Sequence, residues 1–219
     1  MNQSEFFEPS PVTLFLCGDV MTGRGIDQIL PRPSDPLLHE PYVQSALEYV
    51  VMAERRNGPI PKPLDFSYVW GDVLGELNRL KPTARIVNLE TTITISENYA
   101  PKGINYRMHP GNTPCLTEAS IDCCVLANNH VLDWNRCGLV ETICTLRKAG
   151  IKIAGVGRNL TEAFEPAVID IRRSGRLLVF AVASADTGID SDWAATESRP
   201  GLVLLPDLPI EQWPVSLSR

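Results

Sequence analysis

Leu126-Ala127-Asn128-Asn129-His130-Val131-Leu132-Asp133 follows an apolar run, residues 121–126, and precedes a segment of helical spacing that begins near Arg136. It reads as a sharp strand-to-helix turn carrying two carboxamides, an imidazole and a carboxylate. In open α/β sheets, ligands bind beyond the carboxyl ends of the strands, where such turns gather. Consecutive Asn-Asn-His after a buried strand is hard to explain by packing, and loops on a rigid scaffold carry chemistry more often than the scaffold does.

Two further turns match it. Residues 12–17 are apolar and end in Gly18-Asp19-Val20-Met21-Thr22-Gly23-Arg24, and residues 84–87 end in Asn88-Leu89-Glu90. Side by side, the three strand ends would gather Asp19, Asn88, Glu90, Asn129 and His130. Carboxylates, amide oxygens and an imidazole suit a hard or borderline divalent cation. Gly18 and Gly23 flank the first turn, where the backbone must fold tightly or approach a ligand closely. The plain alternative is a turn role, because Asp and Asn side chains bond to nearby backbone.

A chain of 219 residues can bury a substantial core as one large domain. Its 44% hydrophobic and 21% charged content is that of an ordinary soluble globular protein. A formal charge of −6 argues against a nucleic-acid-binding surface, which needs basic patches. Six cysteines without a C-x-x-C pair exclude zinc-ribbon and thioredoxin readings. Cys17, Cys123 and Cys124 lie in apolar, strand-like runs, Cys137 and Cys144 on an expected helix and Cys115 near a turn; all six read as buried, reduced thiols, which favours a reducing compartment. Residues 1–10 lack the basic and apolar regions of a signal peptide. The first apolar run falls far short of the ~20 residues that span a bilayer. A cytoplasmic location without a transmembrane segment is therefore expected.

Residues 1–11 are expected to form a flexible arm and residues 12–219 one domain. Residues 12–17, apolar throughout, suit a central strand covered on both faces. Strands are also expected over 84–89, 121–126 and 151–154. Helices are expected over 42–54, 68–80, 113–119 and 136–149, the last with Gly150 as its C′ residue. Residues 26–41 and 91–102 read as loops, and 106–110 as a short extended segment. Residues 167–171 and 177–183 read as a strand pair turning through Arg173-Ser174-Gly175-Arg176. The tail, 187–219, is rich in proline and tryptophan and has little periodicity. The alternation of strands and helices implies an α/β fold, a largely parallel sheet sandwiched by helices and made mixed by the later pair.

Taken together, Gly18-Asp19-Val20-Met21 with Arg24, then Asn88-Leu89-Glu90, then Ala127-Asn128-Asn129-His130 with Asp133 resemble the CapA family. These are the poly-γ-glutamate capsule synthesis proteins, which are related to calcineurin-like metallophosphoesterases. Tyr106-Arg107-Met108-His109-Pro110, the Gly150 to Gly157 segment, Ala183-Ser184 and Arg199-Pro200-Gly201 extend the similarity across residues 12–210. The resemblance implies a metallophosphoesterase-like sandwich. It implies a divalent metal, Mn, Zn or Mg, held by Asp19, Asn88, Glu90 and Asn129, with His130 near the leaving group.

The departures matter. Met21 stands where that superfamily's first motif has a histidine, and Asn128 stands where its third has a glycine. No His-rich motif follows Asp186, since the remaining histidines, His39 and His109, lie upstream. The resemblance thus implies that the chain stops before the last part of the domain. An open sheet edge, exposed apolar surface and an aggregating monomer are expected from that.

The candidate catalytic residues are His130, as general acid or oxyanion stabiliser, and Asp133, which would either orient His130 or cap the next helix. Candidate substrate-binding residues are Arg24, through its planar fork, Asn128, Arg107 and His109. The resemblance implies a role in polyglutamate or capsule polymer synthesis, with an anionic phosphate-ester or acyl-phosphate substrate and synthase subunits as partners. The alternative is a non-catalytic accessory domain that binds an anionic polymer or a synthase, which Met21 and the missing histidines favour.

Overall fold

The computed structural model describes residues 11–171 and 175–205. The first ten residues of the expected arm (1–11), the turn residues Arg173 and Ser174, and the end of the tail (206–219) lie outside the described residues. In chain order the elements are β1 (Leu14–Val20), α1 (Gly25–Ile29), α2 (Ala46–Asn57), α3 (Val73–Leu80), β2 (Ala84–Leu89), β3 (Thr92–Ile93) and β4 (Arg107–Met108). Then follow α4 (Pro114–Glu118), β5 (Cys123–Val125), α5 (Asn135–Lys148), β6 (Lys152–Ala154), β7 (Val156–Gly157) and α6 (Leu160–Phe164). The last are β8 (Ala167–Ile171), β9 (Gly175–Val179), β10 (Ala183–Ser184), β11 (Gly201–Leu202) and β12 (Leu204–Leu205).

The centre is a four-stranded, all-parallel sheet in the order β1-β2-β5-β6. Parallel neighbours need crossover connections, and helices supply them here. Strand alternation splits the sheet's side chains between two cores. Val87, Leu89, Cys124 and Leu126 pack with Leu77 of α3, Leu116 of α4, and Leu139, Ile143 and Leu146 of α5. The α5 residues are those that helical spacing assigns to one face. Ala84, Ile86, Cys123 and Ala154 face the other way, against Ala167, Ile169, Leu177 and Val179 of the antiparallel β8–β9 hairpin.

This corrects three expectations. The second sheet face is covered by a hairpin rather than by helices, so β8 and β9 form a layer instead of joining the sheet. Strand β1 is an edge strand among the described residues, not a central one. By register its Leu14 and Leu16 share the face of Ala84 and Ile86. The hairpin leaves them uncovered, with Leu16 67% exposed. An apolar run without alternation cannot tell a strand buried on both faces from one awaiting a partner. Third, the thiols are not uniformly buried: all six are free, but Cys137 and Cys144 on α5 are exposed.

Smaller differences have local causes. Helix α2 starts at Ala46 because Ser45 Oγ accepts from the Leu47 N–H. The helix expected over 68–80 is a 3-10 turn, Tyr68–Trp70, broken at Gly71 (φ 51°) before α3 begins. A short helix, α1, interrupts the loop expected over 26–41. Among the described residues no helix is long and apolar enough to cross a membrane.

Candidate active site at the strand ends

Because β1, β2 and β5 run parallel, their carboxyl ends lie on one edge of the sheet. The β1–β2 register slips between Cys17 and Val20. Asp19 sits in that irregularity with φ 51°, a left-handed conformation that costs a non-glycine residue energy and recurs at functional sites. Asn88 lies opposite that slip, between Val87 and Leu89, and Glu90, just past the end of β2, has its N–H bonded to the Val20 carbonyl at 3.0 Å.

One hydrogen-bond chain ties the three turns together. The His130 backbone N–H donates to Asn128 Oδ1 at 3.0 Å. Asn128 Nδ2 donates to Asn88 Oδ1 and to the Leu89 carbonyl, both at 3.0 Å. Asn88 Nδ2 in turn donates to Asp19 Oδ1 at 3.1 Å and to Glu90 Oε1 at 3.4 Å. The two carboxylates are thus bridged by one amide. In this orientation Asn88 presents its N–H groups to them and its oxygen to Asn128. Asn128 spends its whole amide on protein partners and braces the turn.

A second network holds the imidazole. His130 Nδ1 lies 2.8 Å from Asp133 Oδ2. Asp133 is fully buried, and Oδ2 also accepts from the Tyr106 N–H at 2.6 Å while Oδ1 accepts from Lys102 Nζ at 2.7 Å. The Tyr106 ring packs on His130 with centroids 4.2 Å apart. Of the two roles open to Asp133, the geometry selects orientation of His130. Position N-cap of α5 belongs to Trp134, which makes no side-chain cap bond.

Asn88, Glu90, Asn128 and Asn129 line a cleft of 390 Å³ together with Val182, Ala183, Ser184, Thr187 and Leu205; Asp19 and His130 stand beside it rather than in its lining. Burial pushes the Glu90 carboxyl above its ordinary range, and the neighbouring Asp19 charge pushes it the same way. No lysine or arginine belongs to this lining among the described residues. Nor do the described residues hold a group of three or more His, Cys, Asp or Glu side chains placed to bind a metal ion.

Other candidates lie elsewhere. Arg24 is ion-paired with the buried Glu40 and clamped between the rings of Tyr49 and Tyr106, at 5.0 and 4.7 Å. It forms part of the wall of a separate, apolar cavity of 260 Å³. Arg107 stacks on Trp134 at 4.0 Å and donates to the Ser96 and Asp35 carbonyls. His109 accepts from the Gly111 N–H through Nδ1 and caps a 3-10 turn. Neither lines the cleft. Met21, 44% exposed, borders the apolar cavity. Gly23 serves a backbone approach rather than a ligand: a Cβ there would fall 2.9 Å from Arg107 N and O.

Lys102, Ser184 and Thr187 have no role that the sequence assigns, and Tyr106, a candidate for an acidic ligand, instead packs on His130. Lys102 sits in an aperiodic Pro-Lys-Gly loop, and nothing local signals that it reaches Asp133, 31 residues away.

The sequence matches the bacterial capsule synthesis protein PGA_cap family over residues 13–211. The chain belongs to this family. That agrees with the CapA resemblance carried by the three turns. Two relatives, from Mycobacterium tuberculosis strains CDC 1551 / Oshkosh and ATCC 25618 / H37Rv, are each named a probable polyglutamine synthesis accessory protein. Each is 44% identical over 200 residues, which is 91% of this chain and 53% of the relative. The PGA_cap chain described here thus spans about half the length of the curated relatives it matches.

Proposed function

We propose that this chain acts as an accessory component in the synthesis of an anionic capsule or polyglutamate polymer. In this reading its cleft binds a phosphate or acyl-phosphate group through a divalent cation. Family membership and the relatives' printed names support the first part. The observation that carries the second is the carboxylate pair Asp19–Glu90, bridged by Asn88 at the strand ends, with Glu90 pushed up by burial and by its like-charged neighbour.

A lining that offers carboxylate and amide but no cationic side chain among the described residues repels an anion unless a cation bridges them. Asp19, Glu90 and the Asn129 amide oxygen are hard donors, which fit Mg²⁺ or Mn²⁺ better than Zn²⁺. Asn88 would join them only by turning its amide. A cation bound there would polarise a phosphoryl or acyl oxygen and lower the pKa of a coordinated water.

The chain's own residues supply the rest. An ionised carboxylate can only accept, so against Asp133 the ring hydrogen of a neutral His130 sits on Nδ1 and leaves the lone pair on Nε2. An imidazole held in one tautomer against a buried carboxylate is suited to general acid–base work. Asn128 and Asn88 set the spacing between that imidazole and the carboxylate pair.

A second reading, a non-catalytic domain that binds an anionic polymer or a synthase partner, is favoured by Met21, which stands where the resemblance expects a metal-binding histidine. Thermal unfolding with Mg²⁺, Mn²⁺ and Zn²⁺, on wild type and Asn129→Ala, separates the two when paired with phosphate-ester turnover. Turnover, together with a cation-induced rise in Tm that Asn129→Ala abolishes, is the expected result. A rise without turnover leaves the binding reading. No rise with any cation sinks the cation-bridged reading.

A further inference from the structure

Lys102 reaches the turn from a loop that the reaction scheme above does not use. Its ammonium touches two parts of the candidate centre at once. Nζ donates to Asp133 Oδ1 at 2.7 Å and also to the backbone carbonyl of Asn129. The Trp193 ring lies over it, 5.1 Å from Nζ to the centroid. Its side chain is mostly buried, and its partner Asp133 is wholly so.

The division of labour at Asp133 gives this contact a consequence. Oδ2 receives the Tyr106 N–H and the His130 ring hydrogen. Oδ1 receives Lys102. With Oδ1 anchored, the carboxylate plane is fixed and Oδ2 stays where His130 Nδ1 needs an acceptor. The same ammonium pins the carbonyl of Asn129, the residue just before the imidazole. Ion pairs that merely offset a buried charge need not touch the catalytic turn; this one does.

We propose that Lys102 is a positioning residue for the candidate centre, which fixes His130 in its Nδ1–H tautomer and fixes the place of Asn129 beside it. The proposal rests on the reading of His130 as the reacting imidazole. Without the ammonium, Oδ1 loses its donor and the carboxylate is free to turn. Once Oδ2 turns away from Nδ1, nothing holds the ring hydrogen there and it settles on Nε2.

The test is long-range ¹H–¹⁵N NMR of the imidazole nitrogens, at one pH on the alkaline side of the histidine range, without metal or substrate. The chain has three histidines, so His130→Gln assigns the signals. Wild type is expected to show Nδ1–H for His130. Lys102→Met is expected to lose that signature, with Nε2–H becoming the major form, and Lys102→Arg to restore it by returning a donor to Oδ1. A folded Lys102→Met protein with the wild-type tautomer overturns the proposal, as does an Nε2–H tautomer in wild type. Should Lys102→Met fail to fold, the ammonium of the wild-type protein decides. Slowly exchanging Lys102 Nζ protons support the proposal, and protons that exchange as in a solvated lysine overturn it. Because no cation enters the experiment, a flat thermal response to metals sinks the cation reading and leaves this result standing.

Discussion

Asn128 Nδ2 donates to Asn88 Oδ1 at 3.0 Å, so two amides from different strand ends are locked into one orientation each. That bond links the imidazole turn to the carboxylate pair, because Asn128 also accepts from the His130 N–H and Asn88 also donates to Asp19 and Glu90. Asn128→Ala would leave the Leu89 carbonyl, the Asn88 oxygen and the His130 N–H short of a partner. Unsatisfied buried groups cost about 1–3 kcal/mol each, so a total loss of about 3 kcal/mol is expected in urea unfolding. Asn129→Ala, at the cleft wall, is expected to fall within about 0.5 kcal/mol of wild type. The reverse ranking would mean that Asn129, not Asn128, braces the turn.

Asp133 carries a different kind of cost. It is fully buried and serves three donors: Tyr106 N–H, Lys102 Nζ and His130 Nδ1. Removing one partner of a buried ion pair typically costs about 3–5 kcal/mol. Lys102 retains some solvent contact, so Asp133→Ala is expected near the low end, about 3 kcal/mol. Denaturant unfolding measures it. A loss below about 1 kcal/mol would place the pair among exposed salt bridges and undercut the network's part in holding the turn.

What was legible in the sequence was local. The runs at 84–89 and 121–126, each followed by Asn, Glu or His, announced strand ends on one side of a parallel sheet. Of the expected group Asp19, Asn88, Glu90, Asn129 and His130, hydrogen bonds link Asp19, Asn88, Glu90 and the His130 N–H, but through Asn128, while Asn129 lines the cleft beside them. Residues whose partners are distant could not be placed. Arg24 and Arg107 looked like anion-binding groups because a solitary arginine carries no mark of its partner. Their partners, Glu40 and Tyr49 for one and Trp134 for the other, lie in other elements. The standing of β1 failed for a related reason. Its apolar residues declare that they prefer burial, not which segment buries them, and Leu16 is left 67% exposed.

That exposure leads to a third expectation. Leu14 and Leu16 lie on β1, an edge strand among the described residues, and Leu178 and Phe180 are exposed in and just after β9, with Phe180 at 64%. An apolar, unpaired strand edge is a template for association between chains. Concentrated protein is expected to self-associate in analytical ultracentrifugation, and Leu16→Lys with Phe180→Lys to shift it toward monomer. Each exchange is expected to change stability by no more than about 0.5 kcal/mol, as for exposed positions generally. An unchanged sedimentation profile would show that these faces do not drive association.

Glu90 ties the cleft to pH. Burial, then the Asp19 charge, raises its folded-state pKa above the ordinary value of 4.5. The folded chain therefore holds a proton on Glu90 in a window where the unfolded chain has lost it. A group with a raised pKa contributes stability that is complete below the unfolded value and lost as pH climbs through the folded one. At neutral pH the ionised Glu90 beside Asp19 is thus a liability. Glu90→Gln keeps the shape and an acceptor but not the charge, so it is expected to be more stable than wild type at neutral pH without added cation. The gap should close as pH falls toward 4.5. Other carboxylates run the opposite way: Asp192, held below its usual range by its hydrogen bond and ion pair with Arg136, loses its contribution in acid. They act equally in both proteins and cancel in the difference. Urea unfolding across a pH series reads that difference directly, and a gap that widens toward acid would show that Glu90 is stabilised as an anion in the folded state.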